Sequence, residues 1–209
     1  HLGARKQERA VSLNHSTQSG QHPHAARGAD LYETPSVAVE ALLRVERLPH
    51  GIWEPCAGRG AIANMLRARG HAVICSDIEN YGFRLHFQRD FFSETAMPAG
   101  CEAIVTNPPF RSGGRFVAHA LDLSAIVIVL LRLAFLESER RSHILDGGKL
   151  ARLHVFKNRS PMMHRDGWAG RRATSAIPFA WFVFERNHNG PISVDRISWR
   201  SSDERLNHF

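Results

Sequence analysis

The spacing of apolar residues changes several times along the chain, and each change marks an element. Between Ala10 and Asp30 the only large apolar residues are Val11 and Leu13, set among Gln, His, Ser, Gly and Arg, so residues 1–30 read as a flexible tail. From Ser36 to Arg47, Ala38, Ala41, Leu42 and Val45 recur at helical spacing, with Thr34 as the expected N-cap and Pro35 as the first helical residue. Beyond Gly51, short apolar runs alternate with helical stretches, the pattern of a parallel sheet with crossover helices. The expected strands are 52–55, 72–76, 103–106, 125–131, 153–156, 180–185 and 192–199. The expected helices are 61–69, with Ile62, Met65, Leu66 and Arg69 on one face, then 115–123 and a charged surface helix over 137–146. The unbroken apolar run from Ala125 to Leu131 reads as a central strand buried on both faces. Residues 31–209 thus form one α/β domain, a mostly parallel sheet with helices on both faces, and no internal repeat is visible.

Composition narrows the class. At 209 residues and 23.5 kDa the chain suffices for one ordinary domain with a sizeable core, and 43% hydrophobic with 22% charged residues is average for a globular protein. The seven apolar residues ending at Leu131 fall far short of the roughly 20 that span a bilayer. The opening residues have no signal-peptide pattern, and there is no initiating Met. Cys56, Cys75 and Cys101 are odd in number, well separated and set in apolar sequence, which argues against a disulfide scaffold and for a reducing, cytoplasmic setting. Twenty-seven basic against 20 acidic residues leave a net charge of +7, which favours a polyanionic partner.

Two short motifs carry chemistry. Glu54-Pro55-Cys56-Ala57-Gly58-Arg59-Gly60 follows an expected strand and opens an expected helix, the setting in which glycines let backbone approach a ligand. Asp77, 19 residues after Gly58 at the end of the next strand, is suited to a ribose diol. Gly58, Gly60 and Ala63 also satisfy G-x-G-x-x-A, so a nicotinamide or flavin dinucleotide fits the pattern as well. Glu54 weighs against that reading, since its carboxylate would repel a pyrophosphate and attract a ligand ammonium. The second motif is Asn107-Pro108-Pro109-Phe110, at the end of a strand. Two prolines stiffen the loop and remove two N–H donors, so the Asn107 side-chain oxygen and the Pro108 carbonyl can converge on one amino group. Accepting both its hydrogens favours a pyramidal nitrogen with an available lone pair and stabilises positive charge developing there. Phe110 supplies a flat face for a planar substrate.

Taken in order, Tyr32-x-Thr34-Pro35, Glu54 to Gly60, Asp77, Asp90 and Asn107 to Phe110 resemble class I S-adenosylmethionine-dependent methyltransferases, in particular the DNA adenine N6 amino-methylating group. The resemblance covers residues 31–135 by motif and the rest by strand order. It implies a Rossmann-like fold and S-adenosyl-L-methionine as cofactor. It further implies that Tyr32, Thr34, Pro35, Glu54, Cys56, Gly58 and Gly60 lie around the methionine part, Asp77 at the ribose and Asp90 at the cofactor adenine, which Ile78 and Phe91 would sandwich. Asn107, Pro108 and Phe110 inherit target-amine binding and base stacking, Asn107 adjoining the cofactor as well and Pro109 the substrate. Ten residues follow the last expected strand, so no separate target-recognition domain of ordinary size is expected, and sequence specificity on DNA is in doubt.

The 13 histidines form no metal-ligand spacing, and no metal is expected. Trp53, Trp181 and Trp199 read as core. From Lys157 to Arg172, five basic residues face Asp166 alone, a local excess of +4 of the chain's +7. Arg165, Arg171 and Arg172 there are suited to phosphates and Trp168 to stacking on a base. The expectation is therefore methyl transfer to an exocyclic amino group of a nucleic-acid base, foremost adenine N6 in DNA, extruded or single-stranded. The alternatives are the same chemistry on an rRNA base or a protein glutamine amide, an NAD(P)-dependent oxidoreductase, and an inactive nucleic-acid-binding module.

Overall fold

The structure is a computed structural model, and it describes residues 33–159 and 177–200. Its strands are β1 (Gly51–Glu54), β2 (Ala72–Asp77), β3 (Phe87–Gln88), β4 (Ala103–Thr106), β5 (Ile126–Arg132), β6 (Leu150–Phe156), β7 (Phe179–Glu185) and β8 (Ser193–Ile197). Along β5 and β7 successive buried side chains go to opposite cores. Ile128, Leu130, Trp181 and Val183 face one, and Val127, Val129, Leu131, Phe182 and Phe184 the other. Burial on both faces is why these strands read as unbroken apolar runs.

The first core is closed by α1 (Ser36–Leu43) and α2 (Ala61–Ala68) through Val39, Leu42, Ile62 and Leu66. The second is closed by α3 (Gly113–Leu123) and the short α4 (Ser142–Leu145) through Phe116, Val117, Leu121 and Ile144. Helices therefore cover both faces of a sheet ordered β3-β2-β1-β4-β5-β7-β6-β8. All neighbours pair in parallel except β5 with β7 and β6 with β7. The carboxyl ends of β1, β2, β4, β5 and β6 consequently share one edge, where ligands bind in open α/β sheets.

Trp53 and Trp181 are fully buried, and their indole N–H groups reach the Ser76 hydroxyl and the Ala38 carbonyl, each at 2.9 Å. Trp199 only half enters the first core and donates to the carbonyls of Asn158 and Arg159. Two expected helices are shorter than the pattern suggests. The first stops at Leu43, and the chain turns so that the half-buried Glu46 takes bonds from Arg152 Nε (3.0 Å) and His154 Nε2 (2.8 Å). Burial alone would raise the Glu46 pKa, but the bonds from His154 and Arg152 hold it below the ordinary carboxylate value. The 137–146 helix becomes a 3₁₀ turn over Glu139–Arg141 followed by the four-residue α4. Only Ile144 is buried in these two turns, too little apolar contact to hold a longer charged helix, and the Arg141 guanidinium bonds instead to the Phe135 carbonyl at 2.7 Å.

Gly51 opens β1 against the chain that leads into β4. A Cβ there would sit 1.8 Å from the Gly100 carbonyl oxygen, so backbone would have to move. Gly51→Ala is expected to cost about 1–3 kcal/mol, the range for overpacking, read as a lower midpoint in thermal unfolding. An unchanged midpoint would mean that this approach is not constrained.

Candidate functional site at the carboxyl edge

At the end of β1 the chain turns through Gly58 and Gly60, whose φ values of 53° and 80° lie in the left-handed region that side chains disfavour. Space also requires glycine at position 60, since a Cβ would meet the Phe83 ring at 2.2 Å. The turn is tied to the end of β2: Ala57 N–H donates to the Ser76 carbonyl (3.1 Å) and Gly58 N–H to Asp77 Oδ2 (2.8 Å). Asp77 Oδ1 accepts from Glu79 N–H at 3.1 Å. Burial raises the Asp77 pKa, while the bonds from Gly58, Glu79 and Ile78 oppose that rise. The carboxylate thus first fixes the turn. With about four acceptor positions it retains room for a further donor.

Glu54, the last residue of β1, is 1% exposed. It accepts a backbone bond from Ala63 in the first turn of α2, yet its Oε2 has no hydrogen-bond partner among the described residues. Burial pushes its pKa well above the carboxylate range, neighbouring Asp77 adds to this, and Arg67 only partly opposes it. A buried acceptor without a donor is costly. A cationic group bonding to Oε2 removes that cost, so the glycine turn suits an ammonium-bearing ligand better than a pyrophosphate. Beside it, burial followed by the charges of Asp77 and Glu54 drives the Cys56 thiol well above its usual pKa, which leaves it protonated and unsuited to nucleophilic attack.

The Asn-Pro-Pro-Phe loop leaves β4 at Thr106 on the same edge. Asn107 Nδ2 donates to Thr34 Oγ1 at 3.1 Å, joining two motifs 73 residues apart. This corrects the expectation for Thr34. The helix begins at Ser36 with Pro35 in the N-cap position and no side-chain cap, and the Thr34 hydroxyl, buried at 5% exposure, serves Asn107. Pro108 is buried and Pro109 exposed. Phe110 opens a 3₁₀ turn into α3; its ring is tilted against Phe179 (centroids 5.5 Å) and lies beneath the Arg132 guanidinium, with Cζ 4.7 Å from the ring centre.

Asp90 caps the 3₁₀ turn Phe91–Ser93, its carboxylate accepting from Phe92 N–H at 3.0 Å, and remains exposed. The two residues expected around an adenine differ in setting. Ile78 is 58% exposed next to Asp77, the large apolar surface a planar ligand would cover. Phe91 is 5% exposed, stacked on Phe116 at 4.2 Å and perpendicular to the His119 ring at 5.0 Å, so packing the second core is its main role.

Two residues that the sequence did not single out also belong to this edge. Tyr81 has its hydroxyl pKa raised by burial and by Asp77, Glu79 and Cys56, which sets it near the acid of β2. An aromatic residue beside Gly82, four positions after that acid, was the available signal. Arg132 ends β5 directly opposite Phe179 in the sheet register, and nothing in the local sequence links it to Phe110. Tyr32, Arg165, Trp168, Arg171 and Arg172 lie outside the described residues, as do residues 1–30. Among the described residues no group of three or more His, Cys, Asp or Glu could hold a metal ion, and no helix is long and apolar enough to cross a membrane.

No family model and no curated protein sequence matches the chain. Solved structures do. The RNA methyltransferase candidate PH1948 of Pyrococcus horikoshii aligns with TM-score 0.55 at 16% identity over 74% of this chain and 86% of its own. The M protein of the type I restriction enzyme EcoKI aligns with TM-score 0.54 at 11% identity over 80% of this chain and 49% of its own, so the chain spans about half of that subunit. The 23S rRNA methyltransferase ErmE aligns with TM-score 0.50 at 13% identity over 75% of this chain and 70% of its own. With a mostly parallel sheet interrupted by antiparallel β7 and helices on both faces, the chain has the Rossmann-like fold of class I methyltransferases.

Proposed function

We propose that the protein is an S-adenosylmethionine-dependent N-methyltransferase acting on an exocyclic amino group of a nucleic-acid base, with adenine N6 in DNA as the foremost target. The observation that carries this reading is the bond from Asn107 Nδ2 to Thr34 Oγ1. It fixes the carboxamide so that its oxygen lies on the branch away from Thr34, in a loop where two prolines contribute no N–H. An acceptor held in that way, with the Pro108 carbonyl beside it, can take both hydrogens of a base amine. As an adenine amine becomes nucleophilic its nitrogen pyramidalises and acquires positive charge, and those two oxygens stabilise the change. No side-chain base is needed, because a cationic amine is acidic enough to lose its proton to water.

Glu54, Gly58, Gly60 and Asp77 fit the cofactor. Glu54 Oε2 is the buried acceptor for the methionine ammonium, the glycines allow close backbone approach, and Asp77 takes a ribose hydroxyl while holding the turn. Ile78 and Asp90 border the adenine. When bound, S-adenosylmethionine supplies an electrophilic sulfonium methyl. The similar structures include enzymes named for RNA and a restriction M protein, which supports a nucleic-acid substrate.

The decisive experiment offers methyl-labelled S-adenosylmethionine with duplex DNA, single-stranded DNA, rRNA or protein extract, then digests the labelled acceptor. N6-methyladenine from DNA is the expected product, and label appearing only in protein would overturn the nucleic-acid assignment. Calorimetry adds a second check. Asp77→Ala is expected to weaken S-adenosylmethionine binding by about 1.5–3 kcal/mol, the range for hydrogen bonds to a charged group. Tight binding of NAD with no response to S-adenosylmethionine would favour the oxidoreductase instead.

A further inference from the structure

Arg132 is the last residue of β5, and its guanidinium lies over the ring of Phe110 with Cζ 4.7 Å from the ring centre. It is exposed, and among the described residues no carboxylate or carbonyl meets it. Two other arginines over aromatic rings are tied down as well, Arg67 donating to the Val73 carbonyl at 2.8 Å and Arg141 to the Phe135 carbonyl at 2.7 Å, whereas Arg115, over Phe92 with Cζ 3.8 Å from the ring centre, resembles Arg132 but lies away from the Asn-Pro-Pro-Phe loop. Among the described residues the Arg132 guanidinium is held by the stack alone. A second guanidinium, Arg111, is exposed on the turn that Phe110 opens.

The proposed reading gives the face of Phe110 to the target base, and Arg132 covers that ring. We infer that Arg132 is a substrate-positioning residue which leaves Phe110 when the target base stacks there and grips a phosphate beside the target nucleotide. This inference rests on the nucleic-acid reading above. Each half of the exchange is favourable. An exposed guanidinium gains only a weak attraction from the half-buried Phe110 ring, whereas a phosphate offers two parallel charge-assisted hydrogen bonds. The ring exchanges a cation for a nucleobase, whose flat face it can cover fully. An extruded nucleotide brings its own flanking phosphates to the edge, so both new contacts come from one ligand. Charge also fits, since Arg111 is exposed on the turn that Phe110 opens and no carboxylate pairs with Arg132 among the described residues.

The test measures binding of an adenine-containing single-stranded DNA oligonucleotide across a salt series for wild type, Arg132→Ala, Arg132→Gln and Arg132→Lys. Labelled-methyl transfer to the same oligonucleotide is followed in parallel. Arg132→Ala and Arg132→Gln are expected to flatten the salt dependence by about 0.7 log units, the value for one single-strand phosphate contact. KM should rise several-fold with a smaller change in kcat, and S-adenosylmethionine affinity should be unchanged. Arg132→Lys should retain most of the salt slope. If the wild type methylates the oligonucleotide and both neutral variants keep its slope and KM, the phosphate role is overturned and the enzymatic reading stands. If the wild type transfers no methyl to any nucleic acid, the reading itself fails and this inference with it. The two neutral variants differ in side-chain length, so a folding defect in Ala alone is detected by Gln.

Discussion

Glu54→Gln is expected to stabilise the ligand-free protein while abolishing most of its affinity for S-adenosylmethionine. Both effects come from one buried carboxylate with an oxygen that has no hydrogen-bond partner among the described residues. Because burial raises its pKa well above the ordinary carboxylate value, the native state retains a proton that the unfolded chain releases. The sign follows by linkage: this contribution to stability is complete below the ordinary carboxylate value and is lost as pH rises through the raised native value. An amide in the same place still accepts from Ala63, carries no charge and removes that slope. The midpoint of ligand-free Glu54→Gln should exceed that of the wild type at alkaline pH, and the two should converge toward acid.

Cofactor binding should run the other way. A ligand ammonium needs Glu54 ionised, so wild-type affinity is expected to rise with pH as the proton leaves. Removing one partner of a buried, hydrogen-bonded charge pair costs about 2–5 kcal/mol, which is roughly thirtyfold to several-thousandfold in affinity. Calorimetric titrations at several pH values measure both the loss and its pH dependence. A Glu54→Gln variant with native affinity, or a wild type whose affinity is flat with pH, would remove the ammonium from this carboxylate.

The parts of this molecule that were legible in the sequence are those in which neighbours along the chain decide the structure. The run from Ala125 to Leu131 predicted a strand buried on both faces, and its residues do alternate between two cores. Glycines 58 and 60 announced a turn that only glycine takes easily, and both have positive φ. Reading failed where a distant partner outweighed a local pattern. Thr34 before Pro35 looks like a helix cap, yet its hydroxyl is used by Asn107, 73 residues away. Residues 137–146 contain good helix formers, but only Ile144 among Glu139–Leu145 is buried, and propensity without a packed face did not sustain the helix. Arg132 reads as the charged end of a strand, and only the sheet register with Phe179 brings it to Phe110. The acid expected for a ribose holds the Gly58 N–H, a structural duty that spacing alone does not reveal.

Asn107→Ala should separate catalysis from cofactor binding more sharply than any other change at this edge. If the carboxamide oxygen acts on the target amine, its loss removes an acceptor that matters most in the transition state. Turnover should fall on the order of a hundredfold or more, with S-adenosylmethionine affinity altered far less. The Thr34 hydroxyl would lose its donor in the same variant, so part of any defect could come from the entry to α1. Thr34→Val isolates that part, because it deletes the orienting bond at 3.1 Å and keeps the amide. Loss of one neutral hydrogen bond costs about 0.5–1.5 kcal/mol, so Thr34→Val should slow turnover by about twofold to tenfold. Single-turnover rates with saturating cofactor give the comparison directly, free of product release. Near-native turnover in Asn107→Ala would end the amine-activation role, and an equally large loss in Thr34→Val would show that the amide acts only as part of the fold.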